Sequence, residues 1–160
     1  MIIVKLKGGM GNQMFQYALG RALSIKNNVP LGLDLAFLLD RTPRSDFTFR
    51  NYDLDIFNIN AEIVSQSKVS FLYKNFKGKF GVYFDYLRRK FFKLSGVEKK
   101  LNFNPGILNM GSDIYLDGYW QSYKYFVDIE DIIRKDFALK KKPNQNIINF
   151  SKQILNENSL

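Results

Sequence analysis

The sequence contains no cysteine and no histidine among its 160 residues. Without cysteine, disulfide bonds and thiolate metal sites are excluded, and the composition fits a reducing compartment. Without histidine, the most common nitrogen ligand of zinc is missing too. We therefore expect no metal ion as a cofactor.

Long apolar runs are also missing. No stretch approaches the ~20 apolar residues that a membrane-spanning helix needs, and residues 1–7 are too short an apolar run for a signal peptide. We expect a cytoplasmic protein, and contact with an anionic membrane would place it peripherally at the inner face of a bacterial membrane. The formal charge of +9 favours an acidic partner, which is a nucleotide diphosphate, a membrane surface or nucleic acid.

The apolar residues that are present predict one α/β domain. At 46% hydrophobic and 16% aromatic content, the chain has enough material for a single core. Residues 2–6 and 30–35 are short apolar segments, and residues 12–26 between them show helical periodicity. Strand, helix and strand in this order predict a Rossmann-like fold with a parallel sheet. The periodicity predicts which helix residues face that sheet: Met14, Phe15, Ala18, Leu19, Ala22 and Leu23.

A glycine turn joins the first strand to this helix, with the sequence Gly8-Gly9-Met10-Gly11-Asn12-Gln13. Glycine permits positive φ and lets a ligand approach the main chain closely, while a helix start presents unpaired N–H groups that favour anions. The spacing is neither a dinucleotide fingerprint nor a P-loop. As an alternative, Asn12 and Gln13 merely cap the helix.

A second junction follows residues 113–120, which read as a strand, and precedes a predicted helix that runs from Gln121 to Ile133. Ligands bind at the carboxyl ends of strands in α/β sheets. Tyr119, Trp120 and Gln121 offer an aromatic surface and an amide, which suits a sugar. For Trp120, packing in the core is an equally weighted alternative.

Both junctions resemble segments of the bacterial alpha-1,2-fucosyltransferases. The first is Gly-Gly-Met-Gly-Asn-Gln-Met-Phe-Gln-Tyr-Ala from Gly8, and the second is Gly-Tyr-Trp-Gln-Ser-Tyr-Lys-Tyr-Phe from Gly118. The resemblance covers roughly the first half of a family member. It implies that residues 1–160 are a single N-terminal Rossmann-like domain of a two-domain GT-B transferase, truncated before its C-terminal domain.

The resemblance also implies an activity, the transfer of fucose from GDP-fucose to the 2-hydroxyl of a galactoside in surface-glycan synthesis, without a metal. It implies that the substrates bind at these two junctions: Gly8, Gly9, Gly11, Asn12, Gln13, Tyr119, Trp120 and Gln121. The family's His-x-Arg-Arg-Gly-Asp segment, whose arginine binds the donor phosphates, does not occur in these residues. We therefore expect the chain alone to be inactive. No catalytic base is assigned, although Asp34, Asp113 and Asp117 lie near the motifs.

Two alternatives without catalysis remain open. One is a basic module that binds nucleic acid through the aromatic and basic residues 76–100, and the other is a nucleotide-phosphate binder that uses only the glycine turn. Neither explains both motifs, so we expect no nucleic acid as a partner. Three further predictions concern structure: helices over 61–71 and 146–156, and a capping role for Asp34 at the end of the second strand, favoured over binding a ribose.

Overall fold

The computed structural model describes residues 1–43, 45, 48–65, 96–97 and 102–157. Within them, five strands form one parallel sheet in the order β3-β2-β1-β5-β4. The strands are β1 (Ile2–Lys5), β2 (Leu31–Asp34), β3 (Glu62–Ile63), β4 (Gly96–Val97) and β5 (Ile114–Asp117). This α/β architecture confirms the predicted Rossmann-like fold with its parallel sheet.

The first unit of the fold is β1, the helix α1 (Met10–Asn27) and β2. Gly20 lets α1 lie close to the sheet, because a Cβ atom there would come within 2.4 Å of Val4 Cγ2 and 2.8 Å of Leu31 Cδ1. The helix ends at Asn27 and is followed by the C-cap residue Asn28, which has a left-handed φ of 51°, and by Pro30. The sequence therefore determines both the packing and the end of α1 locally.

The buried face of α1 differs from the predicted one. Ala18, Leu19 and Leu23 are buried as expected, whereas Met14, Phe15 and Ala22 are only partly buried. Their places are taken by side chains with polar groups, namely Gln13, Gln16, Tyr17 and Ser24. These polar groups tolerate burial because each has a hydrogen-bond partner. A pattern of apolar residues alone does not identify positions where a polar side chain is buried.

Tyr17 shows how such a group is accommodated. Its hydroxyl donates to Asp136 Oδ2 at 2.6 Å and accepts from the backbone N–H of Asn60 at 3.1 Å. Arg21 Nε donates to the same carboxylate oxygen at 3.0 Å. Burial and the hydrogen bond to Asp136 raise the pKa of the Tyr17 hydroxyl, so it stays protonated. The cluster ties α1 to the C-terminal segment.

The remaining helices in the described ranges are α2 (Ala36–Leu39), α3 (Glu130–Asp136) and α4 (Gln145–Glu157), with 3-10 turns at Leu54–Ile56, Pro105–Asn109, Tyr123–Tyr125 and Val127–Ile129. The helix predicted over residues 146–156 is confirmed as α4. The one predicted to begin at Gln121 is wrong before Glu130, because Tyr125 is buried there against Trp120 and Phe103 and the chain forms two separate turns. Across these residues, no helix has the combination of length and apolar content needed to cross a bilayer.

The helix predicted over 61–71 is wrong where the structure describes it. Residues 62–63 form the strand β3 instead, since they pair with Gly32 and Leu33 of β2, and Val64 N donates to Leu33 O at 2.9 Å. Pairing at the sheet edge overrides the local helical pattern. Residues 66–71 and the basic, aromatic residues 76–94 lie outside the described residues.

Asp34 has the capping role that was favoured for it. The residue is 3% exposed at the end of β2. Its Oδ1 accepts from Ala36 N at 2.8 Å and its Oδ2 accepts from the Tyr115 hydroxyl at 2.7 Å. One carboxylate oxygen therefore stabilises the start of α2, and the other fixes the side chain of Tyr115 on β5.

Candidate sugar-binding site at the carboxyl ends of β1 and β5

The strand order creates a topological switch point between β1 and β5. From β1 the chain moves outward to β2 and β3, whereas β5 and β4 lie on the other side of β1. The glycine turn follows β1, and the segment from Gly118 to Gln121 follows β5. Ligands of open α/β sheets bind in the crevice at such a point. The fold therefore brings the two motifs, which are more than a hundred residues apart, to one place.

The three glycines of the turn have different structural roles. Gly8 has φ of +80°, and a Cβ atom there would lie 2.4 Å from Asn12 Nδ2. At Gly9 and Gly11 a Cβ atom would meet nothing within 4 Å. The turn itself therefore requires glycine only at position 8. At the other two positions, the missing side chains leave the backbone at the start of α1 open to a ligand.

The start of α1 also offers hydrogen-bond donors. Gly9 caps the helix without a side-chain hydrogen bond, and the first bond of the helix runs from Gln13 N to Gly9 O at 3.1 Å. The backbone N–H groups of residues 10–12 precede that bond. Such groups, together with the helix dipole, favour negative charge.

Gln13 is fully buried and holds the turn to the segment around Asp53. Its Nε2 donates to Gly8 O at 3.0 Å and to Asn51 O at 2.8 Å, and its Oε1 accepts from Asp53 N at 3.0 Å. Gln13 thus positions the glycine turn with an amide that is already hydrogen-bonded. The direct ligand contact expected of this side chain stays a prediction.

Gln16 has a similar role that the sequence analysis missed. Its amide forms two hydrogen bonds to the backbone of Lys7, one from Lys7 N at 3.0 Å and one to Lys7 O at 3.1 Å. Lys7 lies between the end of β1 and Gly8, so these bonds hold the chain where it enters the turn. The signal in the sequence was a second glutamine three positions after Gln13, on the same side of a helix that starts at a glycine turn.

Asn12 and Gln121 connect the two motifs directly. Gln121 Nε2 donates to Asn12 Oδ1 at 2.6 Å. Gln121 is exposed and Asn12 is half-buried, so the pair lies at the surface. Among the described residues, Asn12 Nδ2 and Gln121 Oε1 have no hydrogen-bond partner. The pair therefore presents a donor and an acceptor side by side, which matches a sugar hydroxyl, itself both donor and acceptor.

Trp120 and Tyr119 lie differently. Trp120 is 1% exposed, with its ring edge-to-face against Tyr125 at a centroid distance of 6.0 Å. Its φ of 55° turns the chain sharply after β5, so that the following residue reaches the surface. This geometry favours the packing interpretation of Trp120 over a ligand contact. Tyr119 is half-buried, and its ring lies 4.7 Å from Lys7 Nζ.

Charged groups surround Asp117 at the end of β5. Lys5 Nζ lies 3.0 Å from Asp117 Oδ2, and Lys7 Nζ lies 2.8 Å from Asp117 Oδ1. Burial opposes ionisation of this carboxyl, but the hydrogen bonds from Lys7 and Lys5 outweigh it and lower the pKa of Asp117. An acid with a lowered pKa is a weak proton acceptor at neutral pH. Asp117 is therefore a poor candidate for the catalytic base.

The other two carboxylates near the motifs also have hydrogen-bond partners already. Asp113 lies at the amino end of β5, where its Oδ1 is 2.6 Å from the amino group of Met1, and the hydrogen bond from that group lowers the pKa of Asp113. Asp34 caps α2. The catalytic base thus stays unassigned. Over the described parts of the chain, no cluster of three or more acidic side chains could hold a metal ion.

An apolar groove of about 640 Å³ lies next to the start of α1. It explains why two predicted core residues of the helix, Met14 and Phe15, are only partly buried. It runs between α1 and the C-terminal segment and is lined by Gly11, Met14, Phe15, Ala18, Tyr123, Phe126, Val127, Glu130, Ile133, Arg134 and Phe137. The groove and the Asn12–Gln121 pair therefore flank the same end of the helix.

Comparison with known proteins gives one informative similarity. The chain is 32% identical over 139 residues to the alpha-1,2-colitosyltransferase of Escherichia coli, and the alignment covers 86% of this chain. It covers 44% of that protein, so the chain spans less than half the length of this relative. No family model and no solved structure matches the chain. The chain is therefore a homologue of a glycosyltransferase and aligns with less than half of that enzyme.

Proposed function

We propose that this chain is the N-terminal part of a two-domain GT-B glycosyltransferase, which moves fucose from GDP-fucose to the 2-hydroxyl of a galactoside in surface-glycan synthesis. The observation that carries this proposal is the hydrogen bond between Asn12 and Gln121, because it joins both motifs at the switch point in a chain whose relative transfers a sugar. Colitose, named for the relative, is the alternative sugar.

The chemistry of the transfer sets two needs. The bond between the sugar and the diphosphate breaks as the acceptor oxygen attacks, so negative charge grows on the leaving diphosphate and the acceptor hydroxyl loses its proton. The open backbone at Gly9 and Gly11 suits the close approach of a substrate. The free donor and acceptor of Asn12 and Gln121 suit a sugar hydroxyl.

The remaining parts of the proposal concern groups outside the site. The family pattern assigns the donor phosphates to the arginine of a His-x-Arg-Arg-Gly-Asp segment, which these 160 residues do not contain. We therefore assign transfer to the chain together with a C-terminal domain that carries this segment. The proposal includes no metal ion, a cytoplasmic location and peripheral contact with an anionic membrane.

A chimera tests this function. Residues 1–160 are joined to the remainder of the Escherichia coli colitosyltransferase, and transfer from GDP-fucose or GDP-colitose to a galactoside is measured by mass spectrometry. We expect transfer by the chimera and none by the 160-residue chain alone. In the chimera, Asn12→Ala and Gln121→Ala should each lower kcat/KM about tenfold or more, since each removes a hydrogen bond worth ~1.5 kcal/mol with a polar ligand group.

The chain offers a matched control for these variants. Gln145 and Asn149 form another exposed amide–amide hydrogen bond, of 2.9 Å, within α4. Gln145→Ala should leave kcat/KM unchanged. If the chimera transfers neither sugar although the intact relative does so, the proposed function is wrong. If it transfers sugar and the Asn12 and Gln121 variants behave like Gln145→Ala, the function stands and the site is wrong.

A further inference from the structure

We propose that the apolar groove between α1 and the C-terminal segment binds a hydrocarbon chain carried by the acceptor, so that the acceptor is a galactoside with an apolar aglycone, as in a glycolipid. This inference rests on the proposed function, because it extends the sugar site of that proposal. It adds a second part to the site, next to the amide pair of Asn12 and Gln121.

The position of the groove links it to the sugar site. One wall is formed by α1, where the lining begins at Gly11, directly before Asn12. The other wall begins at Tyr123, two residues after Gln121. The hydrogen bond of 2.6 Å from Gln121 to Asn12 therefore joins the two wall segments at one end of the groove. A ligand whose sugar contacts this amide pair has the groove directly beside it.

The groove also has room for an elongated ligand. Its lining residues on α1 are Gly11, Met14, Phe15 and Ala18, which share one side of the helix at spacings of three and four residues. At ~1.5 Å per residue, this stripe extends for about 10 Å along the helix. The volume of about 640 Å³ is typical of a small-molecule site. The groove therefore continues well beyond the amide pair.

The lining favours a hydrocarbon. Met14, Phe15 and Phe126 are only partly buried, and Tyr123 and Val127 are 63% and 48% exposed, so apolar surface faces the open groove. Removal of apolar surface from water is favourable in proportion to its area. A chain of methylene groups would cover this surface and gain that free energy.

The charged groups of the groove do not select a polar ligand. Arg134 Nη2 and Nε donate to Glu130 Oε1 at 2.6 and 2.8 Å, and both side chains are exposed on α3. The guanidinium thus already has a carboxylate partner, whereas a diphosphate would need a cation that is available to it. A guanine base would need several convergent donors and acceptors. Within the described lining, the only other polar side chain is Tyr123.

A chain-length series with the 160-residue protein tests the groove. Methyl, butyl and octyl β-galactosides are titrated below their critical micelle concentrations and followed by NMR chemical-shift changes. A fully buried methylene strengthens binding about fourfold, and an open groove covers roughly half of its surface, so we expect about twofold per added methylene. The octyl galactoside should then bind on the order of 100-fold more tightly than the methyl galactoside. Its shift changes should extend along α1 from Gly11 to Ala18.

Variants separate the two parts of the site. Val127→Asn puts an amide into the groove at an exposed position, so it should fold normally, weaken the octyl galactoside about fivefold or more and leave the methyl galactoside unchanged. Leu39→Asn is the matched control, because Leu39 is 55% exposed on α2, away from the groove lining. Asn12→Ala should weaken all three galactosides by the same factor.

A ligand with the same chain and no sugar is the matched probe. The octyl ether of triethylene glycol should bind about tenfold more weakly than the octyl galactoside, since it lacks the hydrogen bonds to the amide pair. Equal binding of these two ligands would make the groove a nonspecific apolar surface. Binding that does not depend on chain length overturns the inference in the wild-type protein, without any variant.

Two other occupants have their own signatures, and either one overturns the inference. If GDP displaces the octyl galactoside and Val127→Asn weakens GDP as well, the groove holds the donor base. If sedimentation shows a dimer that Val127→Asn separates into monomers, the groove holds a second copy of the chain.

The chimera separates this inference from the proposed function. We expect a higher kcat/KM for the octyl than for the methyl galactoside, and Val127→Asn should remove this advantage. Equal kcat/KM for both acceptors overturns the inference while the function stands. If the chimera transfers sugar to neither galactoside, the proposed function is wrong, whereas the binding series still decides whether the groove takes an apolar chain.

Discussion

Replacing Trp120 by alanine should destabilise the protein strongly. The side chain is 1% exposed and belongs to the main core together with Tyr125 and Ile133. Removing a buried aromatic side chain costs on the order of 3–5 kcal/mol, because the transfer free energy is lost and a cavity remains. The total stability of such a domain is only about 5–15 kcal/mol. At roughly 2–4 °C per kcal/mol for a domain of this size, the melting temperature should fall by about 6–20 °C.

Circular dichroism on heating measures this change, and the adjacent residue provides the control. Gln121 is exposed, and its hydrogen bond to Asn12 contributes at most about 0.5–1.5 kcal/mol. Gln121→Ala should therefore lower the melting temperature by no more than a few degrees. The two neighbouring substitutions should thus affect different properties, stability at position 120 and ligand recognition at position 121.

A specific result would refute this argument. If Trp120→Ala loses less than about 1 kcal/mol of stability while transfer by the chimera fails, Trp120 contacts a ligand and does not stabilise the core. Loss of stability together with normal kinetics of the folded fraction would support the packing role.

Two further predictions concern the turn and the charged cluster. Gly8→Ala should cost about 1–2 kcal/mol of stability, because φ is +80° there and the new Cβ would displace Asn12. Gly11→Ala should keep stability unchanged or raise it by up to ~1 kcal/mol, and should still lower transfer by the chimera. Equal melting temperatures for the two variants would contradict this. The pKa of Asp117 is lowered in the folded state, so the ionised carboxylate stabilises the folded protein. The stability difference between the wild-type protein and Asp117→Asn should therefore be complete at a pH above the pKa of an unfolded aspartate, about 3.9, and should disappear as the pH falls through the folded-state pKa. Urea denaturation between pH 2 and pH 7 measures the difference, and a constant gap between the two proteins would contradict the ion pairing.

The first unit of the fold could be predicted because its signals are local. A glycine turn between an apolar strand and an amphipathic helix, with a proline after the helix, leaves few alternatives. The segment after Gln121 could not be predicted in the same way, because burial of Tyr125 decides its conformation and depends on Phe103 and Asn104, which lie some twenty residues earlier. Local periodicity carries no information about such a contact.

The candidate site was only partly predictable, for a related reason. Its position followed from the general rule for α/β sheets and the two motifs. The division of roles did not follow, because a glutamine on a helix and a tryptophan after a strand have the same sequence signature whether they touch a ligand or the core. No sequence signal indicates that Lys5 and Lys7 contact Asp117, since this contact depends on β1 pairing with β5.

The amides of Gln13 and Gln16 have a consequence for the thermodynamics of ligand binding. They hydrogen-bond the backbone of Lys7 and Gly8 at the start of the glycine turn and that of Asp53 in a separate segment, and they belong to a helix that packs in the core. The conformational entropy of this loop is therefore lost when the protein folds, and little of it remains to be lost when a ligand arrives. The turn is rigid because two buried side chains hold it, although its own residues are mostly glycine.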